Sequence, residues 1–159
     1  MKQTQSLLFI TLAFWSLASN AEDCVVKTDV RPLMSGMPAL QEEKIFATEG
    51  RYTAVLKNGD VMLARFATCD LGMQANYMSV KALDNTELMQ VLEMFLTRVL
   101  PSDTVAKKVL PQLKGLSSAA LRKTITLQGL NDQHQIIVKS ATNKNFNTMI
   151  EYNWIAPEY

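Results

Sequence analysis

The spacing of apolar residues changes twice along the chain. From Arg51 to Thr68 apolar and polar positions alternate. Tyr52, Ala54 and Leu56 share one face of the first run. In the second run Met62, Ala64 and Phe66 lie opposite Val61, Leu63, Arg65 and Ala67. A period of two predicts half-buried β-strands. Lys57-Asn58-Gly59-Asp60 separates the runs. Asn-Gly between alternating segments predicts a tight hairpin with both turn residues at positive φ. A third strand is expected over Gln74–Val80, after Cys69-Asp70-Leu71-Gly72.

The period then lengthens. Leu88, Val91, Leu92, Phe95, Leu96, Val99 and Leu100 form a single helical stripe. Asp84 or Asn85 suits the N-cap, and Glu87 suits the first turn. Arg98 falls in the last turn, and Pro101 ends the helix. A shorter second helix is expected after Ser102, with Val105, Ala106, Val109 and Leu110 inward. Pro111 is expected to break or kink it, and Lys114-Gly115 to close it. Strands then return: Thr124–Leu130, a turn at Asn131-Asp132, Gln135–Ser140, a turn at Asn143-Lys144-Asn145, and a last strand. In that strand Phe146, Thr148, Ile150, Tyr152 and Trp154 share one face.

Strands, helices, then strands again define an α+β protein. The expected fold is a single antiparallel sheet of about five to six strands, with β-hairpins either side of the helices. One long amphipathic helix and a short second helix pack against it. Residues 22–42, punctuated by Pro32, Ser35-Gly36 and Pro38, read as a loop-like N-terminal arm.

The first residues belong to none of this. Lys2 precedes an apolar run from Leu7 to Leu17, followed by Ala18-Ser19-Asn20-Ala21. That order is a cleavable export signal, with cleavage expected after Ala21. The run is shorter than the about 20 apolar residues that a spanning helix needs, so no stable transmembrane anchor is expected. Residues 22–159 then form a single globular domain, periplasmic or secreted. Export gives the cysteines a meaning. Cys24 and Cys69 are the only two, and in an oxidising compartment they are expected to pair as a disulfide.

Formal charge is +1 over the whole chain, but it is unevenly spread. Arg98, Lys107, Lys108, Lys114, Arg122, Lys123, Lys139 and Lys144 face only Asp103 and Asp132 within residues 98–144. Segregated charge of this kind either gathers into a contact surface for an acidic partner or disperses as solvated charge. Lys107, Lys108, Arg122 and Lys123 are the candidate contacts there, and Met34 and Met37 are candidates in the arm. Near-neutral overall charge and export argue against nucleic acid.

Catalytic and metal-binding patterns are missing from the sequence. His134 is the only histidine and reads as a solvated turn residue. With two paired cysteines there is no transition-metal set, and no calcium loop, phosphate loop or hydrolase elbow is legible. No cofactor is implied. Arg65 and Asp70 read as an ion pair. The remaining methionines and Trp154 read as core.

Periplasmic lysozyme inhibitors are the natural comparison for a small, exported, stapled, β-rich domain. One group carries Ser-Gly-x-x-Tyr, but Ser35-Gly36 is followed by Met37-Pro38-Ala39. Another places a histidine between two cysteines, but His134 lies beyond both. The expectation is a non-catalytic protein that binds, and inhibits or neutralises, a partner in the cell envelope. An accessory module of an envelope assembly is the alternative, and a small carboxylate-based hydrolase or ligand-binding protein comes third.

Overall fold

A computed structural model describes residues 30–68, 71–100, 102–128, 133–141 and 144–155. The export signal, Cys24, Cys69, Asp70 and the Asn131-Asp132 turn lie outside these residues.

The class is α+β, as the periodicities require. Among the described residues, seven antiparallel strands form one sheet: β1 (Leu40–Phe46), β2 (Arg51–Leu56), β3 (Val61–Thr68), β4 (Leu71–Ser79), β5 (Ile125–Leu127), β6 (Gln133–Ser140) and β7 (Thr148–Ile155). Their order is β1-β2-β3-β4-β7-β6-β5. Three helices are inserted between the two halves: α1 (Asn85–Val99), α2 (Asp103–Lys114) and the single turn α3 (Ser118–Leu121). The seam between the halves is the β4·β7 pair, where Gln74 meets Asn153 and Asn76 meets Glu151.

One face of the sheet carries the core. Tyr52, Met62, Ala75, Tyr77, Ile136, Ile150 and Tyr152 are all buried on it. The helix stripe covers them: Leu88, Leu92, Phe95, Leu96 and Val99 are buried along α1. The Tyr77 and Phe95 rings meet at 6.0 Å and 57°, which fixes α1 against β4. Asp84 closes a full capping box with Glu87.

Four expectations are corrected. β1 falls partly within the stretch read as an arm. It is an edge strand with Glu42, Glu43 and Lys44 in its centre, so it lacks the apolar alternation that would reveal it. The hairpin is not a two-residue turn. Gly59 N–H donates to Leu56 O (2.9 Å) and Leu56 N–H to Asp60 O (2.8 Å), so the loop holds three residues with Gly59 at φ 88°. Pro111 does not end α2, because the buried stripe of Ala106, Val109 and Leu113 continues past it. Met34 is not at a surface: it is fully buried, and its backbone N–H donates to Tyr52 Oη at 2.9 Å.

Leu33 and Met34 of the arm are thus part of the core. Tyr52 Oη donates in turn to Glu43 (2.5 Å), and Arg31 donates to the carbonyl of Leu100 (3.0 Å) beyond α1. Burial and the Glu43 carboxylate push the Tyr52 hydroxyl pKa well up.

Candidate functional site

All three helices lie on the core side, so the other face of the sheet has no described element packed on it. Strand alternation decides what that face presents. Arg51, Thr53 and Val55 of β2 pair with Arg65, Leu63 and Val61 of β3. Val61, Leu63 and Arg65 pair in turn with Met78, Asn76 and Gln74 of β4. Across the seam these meet Met149, Glu151 and Asn153 of β7, and beyond them Lys139, Ile137 and Gln135 of β6. The result is a polar island bordered by apolar side chains. Gln74, Asn76, Glu151 and Asn153 form the island, with Gln135 beside it. Val61, Leu63, Met78, Met149 and Ile137 border it. Leu63 is 38% exposed, unusually open for a large apolar side chain in this molecule.

Glu151 is the centre of the island. Its carboxylate accepts from Asn153 Nδ2 (3.0 Å), Lys139 Nζ (3.0 Å) and, at the limit of bonding, Gln74 Nε2 (3.4 Å). Its side chain is only 15% exposed. Burial alone would raise its pKa. The Asn153 bond, the bond and charge of Lys139, and the Gln74 bond together outweigh burial and hold the carboxyl below its ordinary value. Glu151 is therefore a fixed anion at neutral pH.

Two acceptors in this island are left over. Asn76 Oδ1 and Asn153 Oδ1 are both shielded from solvent, and neither accepts a hydrogen bond from the described residues. Beside Asn76 lies a depression of about 90 Å³, lined by Leu63, Ala64, Arg65, Gln74 and Asn76. A buried acceptor without a donor carries its desolvation cost uncompensated, about 1–3 kcal/mol.

His134 is not a solvated turn residue. It is 2% exposed on β6, where its Nδ1 lies 2.8 Å from Tyr152 Oη. The Trp154 ring lies nearly parallel to it at 6.2 Å and 4°. Trp154 also sits so close to Gly72 that a Cβ there would meet its ring at 2.7 Å. This cluster locks the end of the β4·β7 seam. Trp154 packs partly buried against the core, in keeping with its reading.

The basic candidates do not approach the island. Lys107 and Lys108 are exposed on α2, and Arg122 and Lys123 are exposed just after α3. Arg122 is partly committed, donating to Leu83 O at 3.2 Å. Met37 is half-buried against the core. A second groove, about 410 Å³ and wide open, runs between the start of α1 and the end of α2. It is lined by Asn85, Thr86, Met89, Gln90, Glu93 and Lys114. Among the described residues no group of three or more His, Cys, Asp or Glu side chains is placed to hold a metal ion. No described helix is long and apolar enough to cross a membrane.

Sequence reading missed the island because its members come from strands far apart in the chain. The one available signal was the run of polar residues at alternate positions of the two strands, Gln74 and Asn76, Glu151 and Asn153. By fold the protein is an α+β domain whose antiparallel sheet has helices on one face. Comparison with family models, with curated proteins and with solved structures finds no match.

Proposed function

We propose that this is a non-catalytic binding protein of the cell envelope, which engages a protein partner through the uncovered face of its sheet. The observation that carries this reading is the makeup of that face: a half-buried polar island inside an apolar border. A binding surface of this kind needs apolar area to exclude water and a few placed polar groups for specificity. The state of Glu151 supports binding over acid–base chemistry. A general acid or base works best with a pKa near the working pH, and this carboxyl is moved the opposite way.

The export signal at residues 1–21 would deliver the domain to the periplasm or outside, with Cys24 and Cys69 joined. Exposed Lys107, Lys108 and Lys123, on the helical side, would form a separate contact surface for an acidic partner. Inhibition of an envelope enzyme is the first form of this function, and an accessory role in an envelope assembly is the second.

Affinity capture of the C-terminally tagged protein from the periplasm, followed by mass spectrometry, tests the reading. One stoichiometric partner is expected, and assaying that partner with and without the protein separates inhibition from an accessory role. Leu63→Glu is expected to weaken the complex about tenfold or more while changing stability by no more than about 0.5 kcal/mol. Absence of a partner, or full binding by Leu63→Glu, would count against this face.

A further inference from the structure

The topology gathers cations at one end of the sheet. β2, β4 and β6 end there, and β3 and β7 begin there. The loops at that end come from distant parts of the chain and are tied together. Val80 N–H donates to Asp60 Oδ1 of the β2–β3 hairpin (3.0 Å), and Asn147 Nδ2 donates to Val80 O (2.6 Å). Thr148 Oγ1 donates to Lys81 O (3.0 Å), and Arg122 donates to Leu83 O (3.2 Å). Lys57, Lys81, Arg122 and Lys144 stand on these loops, one on each, and all four are exposed.

None of the four forms an ion pair among the described residues. Lys57 and Arg122 meet backbone carbonyls, of Pro38 and Leu83, which leave their charge unneutralised. The acids nearby are committed inside the fold. Asp60 is buried and engaged by Tyr77 and Val80, and Asp84 and Glu87 close the capping box of α1. By contrast Lys44, Arg51, Lys114 and Lys139 each pair with a glutamate. A chain of formal charge +1 thus carries a cationic pole.

The makeup of the pole selects its partner. Three of its four cations are lysines, compact hydrated charges that lack the fork with which arginine fixes a single carboxylate. They stand on separate turns, an arrangement suited to a surface whose anions move to meet them. Val80 and Phe146 are half-buried and Ala82 is exposed among them, apolar groups that fit the headgroup layer of a bilayer. We propose that this end of the sheet docks the domain peripherally on an anionic lipid bilayer, with the four cations against lipid phosphates. Docking by the sheet end leaves the uncovered face free. The inference therefore adds a membrane contact to the proposed binding role and does not depend on it.

The test is co-sedimentation of the protein, purified after export, with phosphatidylcholine vesicles containing about 30% phosphatidylglycerol, against vesicles of phosphatidylcholine alone. Binding to the anionic vesicles is expected to be at least about twentyfold tighter, and to fall steeply between about 0.05 M and about 0.5 M salt. Each cation near an anionic surface strengthens binding about fivefold. Lys81→Glu with Lys144→Glu is therefore expected to remove at least about twentyfold of the affinity. Lys57→Glu, on a different loop, is expected to weaken binding about fivefold or more, and keeps the test sound if the pair disturbs folding. Lys44→Glu with Lys114→Glu makes the same change in net charge away from the pole, and is expected to weaken binding less than about threefold. Equal binding to both kinds of vesicle, no binding to the anionic ones, no salt dependence, or equal losses from the two double variants overturns the proposal. Capture on immobilised polyglutamate without binding to anionic vesicles also overturns it, and gives the pole to an acidic protein instead.

Discussion

Asp60 and Glu151 are both carboxylates engaged in hydrogen bonds, yet they do different things. Asp60 is 3% exposed and closes the β2–β3 hairpin. It accepts from Tyr77 Oη (2.7 Å), Asn58 Nδ2 (2.8 Å) and the Val80 backbone (3.0 Å). Burial, followed by the bond to Asp60 and its charge, drives the Tyr77 hydroxyl pKa far up. Asp60→Ala strips a buried hydroxyl of its acceptor, and is expected to cost about 2–4 kcal/mol in urea unfolding. Glu151 acts at the surface and reports through pH. Its folded pKa is depressed, so its contribution to stability is present above the unfolded carboxyl value and is lost as pH falls through the folded one. In Glu151→Gln the loss of stability between about pH 5 and about pH 3 is therefore expected to be shallower than in the parent. Urea midpoints measured across that range check this, and parallel curves would show that Glu151 contributes nothing. Neither role was legible in the sequence. Fifteen carboxylates look alike as letters, and what separates these two is which strands bring donors to them.

At the scale of elements, local chemistry was the better guide. The α1 stripe, its Asp84 cap and its end before Pro101 all follow from spacing, since a helix satisfies its own backbone within four residues. Asp84→Ala breaks the capping box and is expected to lower stability by about 1 kcal/mol, measured by thermal or urea unfolding. An unchanged midpoint would mean that tertiary contacts alone hold the helix start. Features that depend on neighbours were harder to read, although α2 starts after Ser102 and closes at Lys114-Gly115 as expected. β1 has polar letters because an edge strand has few inward positions to fill. α2 runs through Pro111 because burial of Leu113 outweighs one lost backbone bond. α3 is a single turn that the spacing does not announce, and it exists because Ser117 caps it (3.3 Å to Ala120 N) and Leu121 is buried. Met34 shows the same effect on a side chain: an arm residue becomes core once Tyr52 offers its hydroxyl to the backbone.

Among the described residues, the two halves of the sheet meet at the β4·β7 pair, and α1 packs against β4 through the Tyr77–Phe95 contact. The expected Cys24–Cys69 bridge would tie the N-terminus to the end of β3, adding up to about 4 kcal/mol by restricting the unfolded chain. Thiol alkylation with and without prior reduction checks it: labelling at both cysteines only after reduction is expected, and two free thiols in exported protein would remove the bridge. Fold class, the central helix and the shared apolar faces of β2 and β7 could be read directly from the letters. Each depends on residues a few positions apart, and periodicity records exactly that range of interaction. The strand order, the burial of His134 and Met34, and the polar island could not be read in this way. Gln74 and Glu151 are 77 residues apart in the chain and become neighbours only when β7 closes against β4. The candidate site is thus a product of tertiary pairing: its chemistry is spread over two strands, and neither strand holds it alone.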